Sequence, residues 1–352
     1  MDAGNSKYYE ERIAALEEKI GQFQAQMERE ARQRSAFSLK NWLERYGLLV
    51  AWGLLILLIG AFKPEAMFSW NSYAVMFGSQ AMLVVLSLAF IIPLTAGDFD
   101  LSIAGTMALS SMLVAVLNTQ ADMAVLPTVV TVIVVGAVVG VVNAFFILYF
   151  RIHSLIVTLG TGYFISGLVF WVSDSNTIAG VSMGLINAVI LWKIAGIPLS
   201  FYYAAALAAV IWYVFEYTSV GRRLLFVGRG REVAKLSGVD VVRIRAGALI
   251  ASGVIAAIAG VLYTGMRGAA DPTSALTFLL PAIAAAYLGS TSIYRGRFNA
   301  PGACIAVFFL STGIMGLNFL GADTFVQNLF YGGGLVLAVS ISQLLRNRQQ
   351  MD

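Results

Sequence analysis

The 352-residue sequence is poor in the side chains from which enzyme active sites are built. It has one cysteine and one histidine, and only 12% of its residues are charged. A single cysteine excludes an internal disulfide and a thiolate metal site, and the pattern offers no Ser/His/Asp or Cys/His set. A GxxxxGK[ST] phosphate-binding loop is also missing. We therefore predict a chain with no catalytic site, metal or cofactor of its own, which does not hydrolyse ATP alone.

Apolar side chains, in contrast, are abundant. They make up 59% of the sequence, and the mean hydropathy is +0.80. Soluble domains carry about 25% charged residues, so this composition predicts an all-α integral membrane protein in contact with lipid. The net charge of +4 does not indicate nucleic-acid binding, because the basic residues cluster in loops beside apolar segments.

Ten apolar segments approach or exceed the length of about 20 residues that a helix needs to cross a bilayer. We predict transmembrane helices at residues 46–62, 73–96, 101–117, 125–150, 155–172, 199–217, 246–266, 276–288, 301–320 and 325–345. The predicted organisation is a cytoplasmic segment 1–45, a transmembrane domain 46–345 and a cytoplasmic tail 346–352. Residues 184–197 are apolar but too short to cross, and we expect them at the outer surface.

The distribution of positive charge supports this arrangement. With ten spans and a cytoplasmic N-terminus, 20 of the 23 Lys and Arg residues fall on the inner side, leaving only Lys63, Lys193 and Arg267 outside. Positive charge resists transfer and stays inside. Both termini are therefore predicted to be cytoplasmic.

The N-terminal segment has a helical pattern of its own. Six apolar residues follow the 4–3 spacing of a heptad seam over about three heptads, namely Tyr9, Ile13, Leu16, Ile20, Phe23 and Met27. Either a short coiled coil or a surface amphipathic helix would produce this pattern, and three heptads are marginal alone.

The most basic interior segment is the basic loop, which we define as residues 218–245. It carries seven Lys and Arg residues between two apolar runs. Gly228, Gly230 and Gly238 punctuate a short polar helix predicted at residues 231–237. Such a helix on the cytoplasmic side is suited to docking on a soluble partner.

Ionisable groups at membrane depth are costly, so each is a functional candidate. Asp98 and Asp100 follow Pro93 and Gly97 in a break where non-helical backbone would line a cavity. The alternative is that both acids only cap helices near the inner surface. No Lys or Arg lies nearby in sequence to pair with them.

Further polar residues lie within the spans. Asn143 follows Gly136 and Gly140 and would form an interhelical hydrogen bond or contact a polar solute. Thr158 and Thr161 share one helical face, with Tyr163 close by, and suit either a path for a hydroxylated solute or tight packing. The candidates for a translocation path or gate are Asp98, Asp100, Ser102, Asn143, Thr158, Thr161 and Tyr163.

An internal duplication is suggested by two similar breaks. TAGDFDLSIAG ends the second predicted span, and RGAADPTSAL ends the seventh. Each offers an Asp and a Ser or Thr to cap the following helix. Spans 2–5 and 7–10 are offset by five, an odd number, so the two halves would form an inverted repeat.

Several motifs resemble the permeases of bacterial ABC importers for ribose and related sugars. GRRLLFVGRGREVAKLSGVDVVRIR is similar to that family's coupling-helix region. The matching positions there are Gly221, Arg222, Gly228, Glu232, Ala234, Leu236, Ser237 and Gly238. TAGDFDLSIAG matches through Gly97, Asp100, Leu101 and Ser102, although Asp98 stands where a second Gly is usual. VTLGTGYFISGL, AIAAAYLGSTSIYRGR and GLNFLG follow in the same order.

This resemblance implies a type II importer of the bacterial inner membrane. Its parts would be a dimer with a second copy or a paralogue, an ABC ATPase carrying ATP and Mg²⁺, and a periplasmic solute-binding protein delivering a sugar or polyol. The implied ATPase-coupling residues are Arg231, Glu232, Val233, Ala234, Lys235, Leu236, Ser237 and Gly238.

Two other classes stay open from the residues alone. An ion-coupled secondary transporter would use Asp98 and Asp100, but it would not need a basic docking loop. A membrane enzyme of lipid metabolism would need a charged catalytic cluster, which the spans lack.

Overall fold

The apolar segments form helices because a backbone in lipid must satisfy its polar groups internally. The computed structural model describes residues 42, 45–294 and 296–351, with side chains except at 324, 338 and 341–351. The helices are α1 Arg45–Phe62, α2 Pro64–Met67, α3 Trp70–Ser79, α4 Ala81–Thr95, α5 Ile103–Thr119, α6 Val125–Tyr149, α7 Ser154–Val172, α8 Met183–Ile186, α9 Leu199–Tyr217, α10 Ser219–Arg229, α11 Arg231–Leu236, α12 Val241–Arg267, α13 Leu279–Gly289, α14 Ala300–Phe319 and α15 Thr324–Met351. The predicted N-terminal heptad helix lies outside the described residues.

Two helices occupy the centre of the protein. Every residue of α4 is buried, and α12 packs against α4, α5 and α6. The crossing of α12 with α6 is close because Gly253 meets Gly136, and a Cβ on either glycine would collide with the backbone opposite. Small residues permit such close approach of helices in membranes. Gly136 therefore serves the close packing of α6 against α12.

Length and apolarity divide the helices into two groups. Six described helices can cross a membrane, or seven if α3 and α4 count as one span bent by 44°. Shorter apolar helices lie at Ile103–Thr119, Ser274–Gly289 and Phe325–Leu337. The segment predicted as one helix over 73–96 is therefore broken, and its two parts meet at Gln80.

The basic loop is almost wholly helical in the structure. It contains α10, the short helix α11 and the first turn of α12. Thr218 accepts a hydrogen bond from the Gly221 amide at the start of α10, and Asp240 accepts one from the Arg243 amide at the start of α12. The predicted short helix is confirmed to within one residue, as α11. The helix predicted at 246–266 begins five residues earlier.

Two small antiparallel ladders flank the helices. Strand β1 (Ile178–Ala179) pairs with β4 (Ala269–Ala270), and β2 (Lys193–Ile194) pairs with β3 (Ile197–Pro198). Between β1 and β2, α8 continues into a π-helical turn, Asn187–Leu191. This region is thus the short, non-spanning segment that the sequence predicted at 184–197.

Candidate functional site

The break after α4 is built by local backbone rules. Asp98 donates its amide to the carbonyl of Pro93 at 2.9 Å, the long hydrogen bond of a Schellman ending. Gly97 has a φ of +81°, which is the left-handed conformation that glycine adopts without strain. This ending turns the chain so that the Asp98 side chain, only 1% exposed, faces the basic loop.

Two arginines of the basic loop bind the Asp98 carboxylate. Arg245 donates through Nε to Oδ2 at 2.6 Å and through Nη2 to Oδ1 at 2.7 Å, which is the bidentate geometry of strong arginine–carboxylate pairs. Arg231 donates to Asp98 Oδ1 at 2.9 Å and to the carbonyl of Gly97 at 2.7 Å. We call Asp98, Arg231 and Arg245 the Asp98 joint.

Local sequence patterns do not reveal this joint, because the partners lie 133 and 147 residues from Asp98. One signal pointed to it. A buried carboxylate must be paired to be tolerated, and the basic loop holds a large excess of arginine.

A second contact attaches the basic loop to α4. Gly228 of α10 lies directly against the last turn of α4, and a Cβ at Gly228 would collide with the carbonyl oxygen of Thr95. The backbone of α10 therefore rests on the backbone end of the most buried helix. The basic loop is linked to α4 both by charge and by close packing.

Helix α11 presents different side chains on its different faces. Ala234 is fully buried against the protein. Arg231 and Lys235, one turn apart, face a cavity beside the Asp98 joint. Val233 and Leu236 are 58% and 88% exposed, and Glu232, Ser237 and Gly238 are exposed with them. The outer face of α11 is therefore partly apolar, although the segment around it is strongly charged.

Four of the predicted path residues form one buried polar cluster between helices. Asp100 Oδ1 accepts from the amide of Ser102 at 3.1 Å and from its hydroxyl at 2.6 Å, so Asp100 closes the turn that leads into α5, whose N-cap is Ser102. Asn143 donates from α6 to the Ser102 hydroxyl at 2.8 Å. Thr158 of α7 accepts from the amide of Leu101 at 3.1 Å. None of these four path candidates is more than 1% exposed.

Two further path candidates, Thr161 and Tyr163, lie on α7 outside this cluster. Thr161 donates to the carbonyl of Val157 in its own helix. Tyr163 is 80% exposed and lines a cavity of about 250 Å³ together with Leu159 and Gly162. The structure therefore separates the seven candidates into the Asp98 joint, the buried cluster and the α7 surface.

His153 caps the start of α7 by accepting the Leu155 amide through Nδ1. Among the residues that the structure describes, no group of three or more His, Cys, Asp or Glu side chains is placed to hold a metal ion.

The second break, after α12, resembles the first locally. Gly268 has a φ of +66°, and Asp271 Oδ1 accepts from the amide and hydroxyl of Thr273 and of Ser274 at 2.8–2.9 Å. Thr177 donates to the other oxygen of Asp271. The hydrogen bonds from Thr273, followed by those from Ser274, hold the pKa of Asp271 below its ordinary value.

Comparison with known proteins extends these observations. Residues 72–339 match the family described as "branched-chain amino acid transport system / permease component". No solved structure matches the chain.

Three curated relatives align along most of their length. The D-allose transport system permease protein AlsC of Escherichia coli (strain K12) is 27% identical, covering 92% of this chain and 99% of the relative. The autoinducer 2 import system permease protein LsrD of Photorhabdus temperata is 26% identical, covering 88% and 95%. The probable ABC transporter permease protein y4mJ of Sinorhizobium fredii is 28% identical, covering 84% and 88%. Since the family match spans more than half of the sequence, this chain belongs to that permease family and is a multi-pass inner-membrane subunit of an ABC importer, not an enzyme.

Proposed function

We propose that this chain carries a sugar or related polyol across the inner membrane, driven by a separate ATPase that docks on α11. The proposal that the ATPase drives transport through α11 rests on one observation: this short helix has an exposed apolar face and, on its other side, a salt bridge to the end of α4. Its outer face exposes Val233 and Leu236, and its inner side holds Asp98 through Arg231. A push on the outer face would therefore reach the buried end of α4 through a charged contact.

The substrate class is inferred from the relatives. One relative is named for D-allose, a sugar, and another for autoinducer 2. The family description names branched-chain amino acids instead, which makes leucine the competing substrate. ATP and Mg²⁺ would be bound by the partner ATPase, and a periplasmic binding protein would deliver the solute.

The ten-span arrangement is also part of the proposal. The six long helices, the bent pair and the three shorter apolar helices together correspond to the ten predicted segments. With the basic loop inside, the concentration of positive charge on one side supports a cytoplasmic location for both termini.

An inverted repeat is supported by the two breaks. A constant offset of 171 residues relates Gly97 to Gly268, Asp100 to Asp271 and Ser102 to Thr273. The first pair are left-handed glycines, and the second pair are acids that accept the amide two residues further on. We therefore infer that α4–α7 and α12–α15 are equivalent halves of opposite orientation.

We further propose that two permease copies, or this chain and a paralogue, meet around a path lined by α7. Large apolar side chains are exposed on this helix, among them Tyr163, Phe164 and Trp171. A closed two-fold arrangement would cover such a surface. Tyr163 would line the path, and the buried cluster of Asp100, Ser102, Asn143 and Thr158 would fix the position of α7 against the break.

Docking is tested with single substitutions on α11. Val233→Asp and Leu236→Asp should abolish co-purification of the partner ATPase and ATP-dependent uptake, because each places a charge in an apolar contact. Val220→Asp is the matched control, since Val220 is 53% exposed on α10 of the same loop. ATPase association and uptake that survive both α11 substitutions would remove the docking role from this helix.

The substrate and energy source are tested by uptake in cells that express the chain with its ATPase and binding protein. Labelled D-allose and D-ribose should accumulate and labelled leucine should not. Replacing the phosphate-binding lysine of the ATPase should stop uptake, whereas a protonophore should leave the initial rate unchanged. Uptake that the protonophore abolishes and that the lysine replacement leaves unchanged would indicate an ion-coupled transporter.

A further inference from the structure

A polar cavity of about 570 Å³ lies between α11, the start of α12 and the turn that joins α6 to α7. Four of its lining residues are cationic, namely Arg151, Arg231, Lys235 and Arg245, and Asp98 is the acid among them. Three separate segments of the chain thus direct positive charge into one space.

The charge in this cavity is not balanced by the protein. Asp98 is already bound by Arg231 and Arg245. Within the described part of the chain, neither Arg151 nor Lys235 has a carboxylate within 4 Å. Four cations against one carboxylate leave a formal charge of +3, and uncompensated cations that converge on a cavity favour an anionic ligand.

The cation types and their surroundings indicate which anion. Arginine offers a planar fork of donors and lysine a compact charge, and both are common ligands of phosphate groups. The cavity is much larger than inorganic phosphate, and part of its wall is apolar, including Leu148 and Ile152. Next to it, the end of α6 exposes Tyr149 and Phe150, aromatic residues of the kind that lie at headgroup depth in membranes.

We propose that this cavity binds the phosphate group of an anionic molecule, held by Arg151 and Lys235 together with the free donors of Arg231 and Arg245. A phospholipid headgroup and a soluble phosphate ester share this chemistry, and basic pockets between helices on the cytoplasmic side of membranes do bind anionic headgroups. The cytoplasmic location rests on the proposed function.

This site differs from the surface proposed for the ATPase. Val233 and Leu236 are exposed and do not line the cavity, whereas Arg231 and Lys235 do. A bound phosphate would connect α11 to the α6–α7 turn, which no salt bridge of the described residues does. The ligand would thereby stiffen the connection between the basic loop and the membrane helices.

The test measures binding by the purified full-length chain, alone and assembled with its ATPase. One arm follows labelled inorganic phosphate in detergent. The other measures retention of phosphatidylglycerol by native mass spectrometry, with phosphatidylcholine as the neutral lipid. We expect phosphatidylglycerol or phosphate, but not phosphatidylcholine, to bind. Retention of phosphatidylglycerol alone identifies a lipid site, and binding of phosphate in detergent identifies a site open to soluble esters.

The variant Arg151→Gln/Lys235→Gln should bind at least about tenfold more weakly, a change of about 1.4 kcal/mol. Arg222→Gln/Arg223→Gln is the matched control, because it removes the same charge from α10 outside the cavity and should bind as the wild type does. Circular dichroism melting verifies that both variants are folded.

Three results would overturn the proposal. The wild type binds none of the probes, or both double variants lose affinity equally, or binding disappears when the ATPase assembles, which would assign the cavity to an acidic segment of that partner. Because binding needs neither ATP nor transport, loss of ATPase docking in the α11 variants leaves this result unaffected.

Discussion

The breaks after α4 and after α12 share a local design and differ in what else they contact. Both have a left-handed glycine, then an acid three residues later that accepts the amide two residues further on. At the first break, Asp98 adds a second acid, and the equivalent residue at the second break is Ala269. Asp98 is buried and bound by two distant arginines, whereas Asp271 is satisfied by neighbouring hydroxyls and amides.

This difference separates two uses of an aspartate. Asp100 and Asp271 each accept hydrogen bonds through Oδ1 from the turn that follows them, so these bonds lie within their own segments. Asp98 serves the contact between a membrane helix and the basic loop. The acid three residues after the glycine belongs to the local fold of each break, and the additional acid at the first break links the end of α4 to α11.

The largest effect is expected at Asp98. Asp98→Ala should lower the free energy of unfolding by about 3–5 kcal/mol, because it leaves the mostly buried Arg245 without its carboxylate. The measurement is denaturation of the purified chain by SDS in mixed micelles. Asp98→Ala/Arg245→Met should recover much of the loss, since replacing both partners by apolar groups removes the unpaired charge. If Asp98→Ala were as stable as Asp271→Ala, the proposed difference between the two breaks would be wrong.

The second prediction concerns the close packing of α10 against the end of α4 at Gly228. Replacing a helical glycine with alanine ordinarily stabilises a helix, but at Gly228 the new methyl group would meet the Thr95 carbonyl. Gly228→Ala should therefore destabilise the protein by about 1–3 kcal/mol and reduce uptake.

Gly230→Ala is the control for Gly228. Its Cβ would meet only the Val233 side chain, at 3.7 Å, so the loss should stay below about 1 kcal/mol, the cost of a poorer N-cap. Equal effects at the two glycines would show that loop flexibility, and not contact with α4, decides the outcome.

The first break was partly predictable from sequence. The spacing Asp-x-Ser predicts the hydrogen bonds that Asp100 accepts from Ser102, and the flanking glycines predict the short helix α11. The partners of Asp98 could not be derived in this way, because they are fixed by where the end of α4 meets the basic loop in space. The early start of α12 was missed for a related reason, since Val241–Arg245 is too polar to count as part of a span but is capped by Asp240.

The bend between α3 and α4 shows a similar limit. Hydropathy averages over the segment 73–96 and does not register a change of direction at Gln80. Beside the bend, Gly78 admits the ring of Pro198 from the β3–α9 junction. A contact across 120 positions leaves no periodic signal.

A smaller effect is expected at Asp100. Asp100→Ala removes the acceptor for the amide and hydroxyl of Ser102, two buried donors, and should cost about 1–3 kcal/mol. Asp100→Asn keeps an acceptor oxygen and should lose less. Uptake and expression measured together distinguish the roles, because normal transport by Asp100→Asn leaves only the capping role, whereas lost transport at normal expression places Asp100 at the path or gate.

The smallest effect is expected at Asp271, where most of the hydrogen bonds come from the two neighbouring residues Thr273 and Ser274 and are at least partly exposed. Asp271→Ala should lower the free energy of unfolding by about 0.5–2 kcal/mol, as for the loss of a cap. Because the folded-state pKa of Asp271 is lowered, its contribution is complete above the ordinary aspartate pKa of about 3.9 and is lost as the pH falls below that value. The stability difference between wild type and Asp271→Ala should therefore be constant from pH 7 to about 5 and shrink below about 4. Asp271→Asn, which keeps the acceptor but not the charge, should show no such pH dependence. If the stability difference between wild type and Asp271→Ala instead grew as the pH fell, the protonated form of Asp271 would be the one that the fold binds more strongly. Asp271 would then not play the role that makes the two breaks locally equivalent.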